Sequence, residues 1–281
     1  PAVLTIEEGV KITAADSEDP IYILIEQGAK INAVGTVENP IVMTAENKTA
    51  GGWGGLHICG YAPTNAGSGF SEIGNAAYGG NDANDNSGVL KYIRLEYTGF
   101  ALDDEHESNG ISFYGVGAGT QVSYVQTYVG ADDGLEFFGG TVNVTNLLAV
   151  NPDDDMFDFT QGYSGKLKNC YGVWESGYTS TEADPRGIEA DGNLDGDYSD
   201  HLRQSDFTVE NMTIVNNAAN TTDNVDRMQD VIKIRRGAKA TITNALVKGS
   251  GGTIDLIDMN DSKGAGNAAS SISITHTSVS Y

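Results

Sequence analysis

Carboxylates are the side chains most able to do chemistry in this 281-residue sequence, which has 39 Asp plus Glu against 16 Lys plus Arg and a formal net charge of −23. Glu136, Asp158 and Glu189 hold the same place in short alternating segments, Leu-Glu-Phe, Phe-Asp-Phe and Ile-Glu-Ala. Two carboxyls flanking a glycosidic bond hydrolyse it with retention at about 5 Å separation and with inversion at about 6.5–9.5 Å. Lys233 and Arg235, alternate residues of Ile-Lys-Ile-Arg, are the bases a lyase would use beside a Ca²⁺ ion bound to a uronate. The competing reading of both sets is a solvated outer face crossed by ion pairs, and the negative charge repels polyuronates.

A second chemistry is cation binding. Asp191-Gly-Asn193-Leu-Asp195-Gly196-Asp197 matches the opening of a Ca²⁺ loop, where oxygens at positions 1, 3 and 5 converge because glycine at position 6 permits a sharp turn. Leu202 stands where a bidentate glutamate belongs, so Asp200 is the candidate substitute. A solvated acidic loop is the alternative. Asp82, Asn84, Asp85 and Asn86 form a second candidate, and Asp132, Asp133, Asp153, Asp154 and Asp155 a third. Crowded carboxylates raise one another's pKa or recruit a cation, unless each caps its own turn as an Asx-turn. His57, His106, His201 and His276 show no zinc spacing, and there is no nucleophile elbow or phosphate loop. Tyr163, Tyr171, Trp174 and Tyr178 are the candidate glycan-binding rings, since sugar C–H faces pack on flat aromatics. Trp53, between glycines, reads as packed over a coil end.

What must position these residues is a repeat. A pattern of an apolar residue, any residue, Asn or Tyr and then a second apolar residue starts at residues 90, 122, 144, 167, 209, 242 and, more loosely, 274. The shortest step defines a turn of about 22 residues, and longer steps contain loops. Each copy is followed by a Gly- and Asp-rich turn and a short alternating strand, as in Asn109-Gly-Ile-Ser, Asp132-Asp-Gly-Leu-Glu, Arg186-Gly-Ile-Glu and Asp230-Val-Ile-Lys. Short strands, a turn of about 20 residues and ladders of like residues predict an all-β, single-domain parallel β-helix over 1–281, with about ten coils and insertions near 61–88, 99–109 and 178–206. Stacking makes Tyr92, Tyr124, Asn146, Asn169, Asn211 and Asn244 one ladder, expected to point inward with its amides on the backbone of the next coil. Cys59 and Cys170 fall coils apart, so they are expected to be separate buried thiols.

The charge excludes a uniformly basic nucleic-acid surface, which would have to neutralise phosphates. No segment approaches the roughly 20 apolar residues of a membrane span. No signal peptide is legible at the start, and any lipid anchor would lie outside this chain.

The stretches Gly51-Gly-Trp53-Gly-Gly-Leu56, Tyr78 to Tyr97, Asp132-Asp-Gly-Leu-Glu-Phe-Phe-Gly-Gly-Thr141, Asp153-Asp-Asp-Met-Phe-Asp158 and Gly162-Tyr-Ser-Gly-Lys166 closely resemble a family of secreted or lipid-anchored surface proteins of Bacteroidetes, often mislabelled as multidrug transporters. The likeness spans roughly residues 1–250 and departs around 178–206. It implies a right-handed parallel β-helix at the extracellular or outer-membrane surface and brings no catalytic residues with it. The combined expectation is a binding or structural protein that takes a glycan or a surface-protein partner, stabilised by Ca²⁺, with a polysaccharide hydrolase or lyase as the alternative.

Overall fold

Short alternating segments pair with their neighbours one repeat away, so like residues meet like. The structure, a computed structural model, describes residues 2–17, 19–102, 106–193, 203–218, 228–259 and 270–280. Strands such as Leu56–Cys59, Ile111–Tyr114, Leu135–Phe138, Phe157–Thr160, Arg186–Asp191 and Met228–Arg235 stack in parallel into an eight-stranded sheet. Longer strands, among them Gly88–Glu96, Gln121–Tyr128, Asn143–Val150, Lys166–Trp174, Asp206–Asn216 and Lys239–Gly249, build a twelve-stranded parallel sheet. The fold is the expected right-handed parallel β-helix, with no helix among the described residues. Among the described residues, nine successive rungs lie along the path of the larger sheet, close to the ten or so expected.

Aromatic rings fill the interior because a parallel register places each ring over the next. Phe113, Phe137, Phe159 and Phe207 form a column with centroid separations of 5.0, 5.2 and 4.1 Å. Deleting one such buried ring costs about 3–5 kcal/mol, because its neighbours cannot close the gap.

The Asn and Tyr ladder differs from expectation. Tyr92, Tyr124, Asn146, Asn169, Asn211 and Asn244 all adopt left-handed backbone angles, with φ of 53–61°. A left-handed residue shifts the alternation by one, so that the residues two before and one after it, Val122 and Val125 around Tyr124, both point inward and are buried. Asn tolerates this conformation better than most residues. The ladder side chain is thereby turned outward. Instead of reaching backbone, Asn169 donates to Asn146, Asn211 to Asn169 and Asn244 to Asn211, at 2.9, 2.8 and 2.8 Å.

The insertions divide likewise. Within 61–88, Gly69–Phe70 and Ala77–Tyr78 form an antiparallel pair, and Ala76 and Tyr78 pack over Cys59, Tyr114 and Phe138 on the outside of the short-stranded sheet. That segment is a cover. Residues 178–206 are not one excursion, since Arg186–Asp191 is a fully buried core strand within them. Cys59 and Cys170 are free and buried, in different sheets, and burial pushes both thiols up to about 12.

Candidate functional site

The turn before each short strand and the strand's outward residue stack into two neighbouring rows. Asn109, Asp133, Asp155, Arg186 and Asp230 each stand three residues before Ser112, Glu136, Asp158, Glu189 and Lys233. The strand register puts His57, Ser112, Glu136, Asp158, Glu189 and Lys233 on consecutive rungs, as the alternation predicted. This outer face is not solvated, however. Glu136 and Glu189 are each only 9% exposed and Lys233 7%.

The two halves of the rows are satisfied differently. In the C-terminal half, guanidinium groups interleave with carboxylates. Arg186 pairs with Glu189, with Asp184 at 2.7 Å and with Asp230 at 3.3 Å, while Arg235 pairs with Glu189 and with Asp191 at 2.7 Å. Lys233 bonds Asp258. Burial of each arginine disfavours its charge, but the adjacent carboxylates outweigh that and raise its pKa.

In the N-terminal half the carboxylates face one another. Oxygens of Asp133, Glu136 and Asp158 lie within 4.8 Å of one another, as do those of Asp155, Asp158 and Glu189 and those of Asp132, Asp133 and Asp154. Asn109 Nδ2 donates to Glu136 Oε2 at 2.6 Å, and the Asp155 backbone N–H donates to Asp133 Oδ1 at 2.8 Å. Burial first, and the neighbouring negative charges second, raise Asp133, Glu136, Asp155 and Asp158 well above the usual carboxylate range. Such a set can share protons or hold a cation.

The remaining candidates separate. Asp153 is a structural cap, accepting from Thr181 N at 2.8 Å and from the Tyr178 hydroxyl at 3.1 Å. Asp82 and Asn86 close Asx-turns onto Asn84 N and Gly88 N. Asp191, first residue of the predicted Ca²⁺ loop, is committed to Arg235 and Arg236, and Asn193 is buried and bonded to Gln204. Asp195, Asp197 and Asp200 lie outside the described residues.

The expected aromatic platform is corrected. Tyr163 and Trp174 are fully buried, their polar atoms donating to the Val142 and Pro152 carbonyls at 2.8 and 2.9 Å. Tyr178 packs beside Trp174 and donates to the Pro152 carbonyl; Tyr171 alone of the four is exposed. Chain proximity brought them together in the sequence, but inward and outward positions alternate within one coil. Trp53 is buried, its indole N–H donating to the Glu96 carbonyl at 2.8 Å. Arg186 and Asn109 were missed as site residues; their shared place three before the outward rung is the signal that marks them.

A family model described as a pectate-lyase-like beta helix domain matches residues 1–280. The chain belongs to that family. No curated protein and no solved structure matches it. For a pectate-lyase-like β-helix the two outer faces are the surfaces to compare, and the second one holds a groove. A hollow of about 310 Å³ on the longer sheet is lined by Tyr92, Arg94, Tyr124, Gln126, Asn146 and Leu148. Tyr92 and Tyr124 stack there at 4.4 Å, and Tyr124 is 45% exposed.

Proposed function

We propose that the protein binds polysaccharide along the outer face of its longer sheet, in keeping with the polysaccharide-related role that its family suggests. The observation that carries this reading is the open groove at Tyr92 and Tyr124, continued by the outward amide row. Six rungs about 4.8 Å apart extend it over roughly 24 Å, a linear track suited to a linear polymer. Phenolic and amide edges donate and accept toward sugar hydroxyls, while Arg94 and Gln126 add polar contacts at fixed points. The resemblance to Bacteroidetes surface proteins supports an extracellular or outer-membrane surface address, with the glycan free or on a surface partner.

The test is a glycan array followed by affinity electrophoresis with Tyr124→Asn. Asparagine is the repeat's own residue at this left-handed corner, so the fold is retained and the ring alone is lost. Binding should weaken about tenfold; undiminished binding would remove the groove as the site.

A second reading, hydrolysis by Glu136, Asp158 and Glu189, is favoured by their consecutive rungs and raised proton affinity. It requires a sugar chain to reach largely buried carboxyls, one of them already held by two arginines. Glycan turnover that disappears in Glu136→Ala and Asp158→Ala would establish it.

A further inference from the structure

The charge balance along the two buried rows is uneven. Asp133, Glu136, Asp155 and Asp158 gather four carboxylates around one amide donor from Asn109 and one backbone N–H. The basic side chains of the rows, Arg186, Lys233 and Arg235, form their ion pairs with the acids of the C-terminal half, and Arg186 reaches the N-terminal half only through its attraction to Asp155. Asp155 is 3% exposed and its Oδ1 has no hydrogen-bond partner among the described residues; Asp158 Oδ1 is likewise shut off from solvent and unpaired. A buried, unpaired carboxylate oxygen costs far more than the exposed one it replaces. Asp158 belongs to both carboxylate triads and carries one such oxygen, which marks a place shaped for something positive.

We infer that Asp133, Glu136 and Asp158 bind a divalent cation of the oxygen-seeking class, Ca²⁺ in preference to Mg²⁺, which locks the middle coils together, with Asp155 beside them in the adjoining triad. Oxygens around Ca²⁺ lie on a sphere of about 2.4 Å radius, so any two are at most about 4.8 Å apart. The Asp133, Glu136 and Asp158 oxygens meet that limit. All the donors are hard oxygens and two rungs contribute, so the ion would cross-link the Leu135–Phe138 and Phe157–Thr160 strands. The neighbouring triad with Glu189 is the poorer place, because two guanidinium groups already neutralise that carboxylate. This site is distinct from the loop at 191–200 and independent of glycan binding on the other sheet.

The experiment uses the whole chain, stripped with chelator and returned to neutral pH, and reads calorimetric binding and melting temperature against CaCl₂ and MgCl₂. Binding is expected at about one Ca²⁺ per chain for this site, with a melting-temperature rise of about 5 °C or more once Ca²⁺ exceeds Kd a hundredfold. Glu136→Gln with Asp158→Asn keeps shape while removing two charges. That variant should melt higher than the stripped parent and lose the Ca²⁺ response. A parent with no binding heat and no shift at millimolar Ca²⁺ would overturn the site, leaving shared protons to hold the cluster. A Ca²⁺ response undiminished in the double variant would equally overturn it, by placing the ion elsewhere.

Discussion

The outer faces of the two sheets obey the same stacking rule and finish as chemical opposites. On the longer sheet the outward ladder is neutral and exposed, and each Asn amide satisfies the next through a side-chain bond. On the shorter sheet the outward rows are charged and buried, and Ala76 and Tyr78 of the cover pack over the adjoining column of Cys59, Tyr114 and Phe138. A neutral ladder can repeat indefinitely because an amide both donates and accepts. A carboxylate only accepts when ionised, so its ladder must be interrupted by arginine, by a proton or by a cation. Among the described residues no arginine forms an ion pair with Asp133, Glu136 or Asp158, and Arg186 and Arg235 act on the N-terminal half only from a distance, through Asp155 and Asp158.

This contrast can be broken most forcefully at Arg186. Arg186→Met should cost about 3–5 kcal/mol in urea unfolding, because Glu189 and Asp230 lose the buried counter-charge they share. Lys166→Met on the exposed face, where Lys166 meets Glu210 at 2.7 Å, should change the midpoint far less. Equal effects would erase the distinction between the faces.

The next effect is on pH. A carboxyl whose folded-state pKa is raised holds its proton more tightly in the folded chain. Asp133, Glu136, Asp155 and Asp158 therefore stabilise the fold most below the ordinary carboxylate value of about 4, and that contribution is lost as pH rises toward their raised values. Glu72, Asp132, Asp154 and Glu189 press in the same direction, and Arg186 and Arg235 against it. Calorimetry of the cation-free chain should show melting temperature falling as pH rises above the ordinary carboxylate value of about 4. A flat or rising profile would contradict the burial of like charges.

The smallest change sharpens the neutral face. Asn169→Ala removes two amide bonds and puts a less tolerant residue at a left-handed corner, which should cost about 1–2 kcal/mol. Asn169→Gly, free of that backbone strain, should cost about half as much. Equal losses would assign the effect to the amide ladder alone.

Much of this architecture is legible in the residues. Glu136, Asp158 and Glu189 could be placed on successive rungs because a parallel stack repeats the same pattern in each coil. The aromatic platform could not, since Tyr163 and Tyr171 are near in sequence but lie on opposite sides of the wall. The direction of the Asn and Tyr ladder was equally hidden. Strict alternation assigns it inward, and only the left-handed φ at each corner reverses it.

The sequence by itself determined the coil, its repeat and the registry of its ladders, because these follow from local periodicity copied down the chain. Tertiary structure alone decided which ladders meet water. Stacking of successive coils, with residues 61–88 packed beside them, buries what would otherwise be ordinary surface carboxylates and turns them into a cluster that demands a counter-charge. Burial is set by segments distant in sequence, and no local pattern at Glu136 or Asp158 records what will come to lie above them.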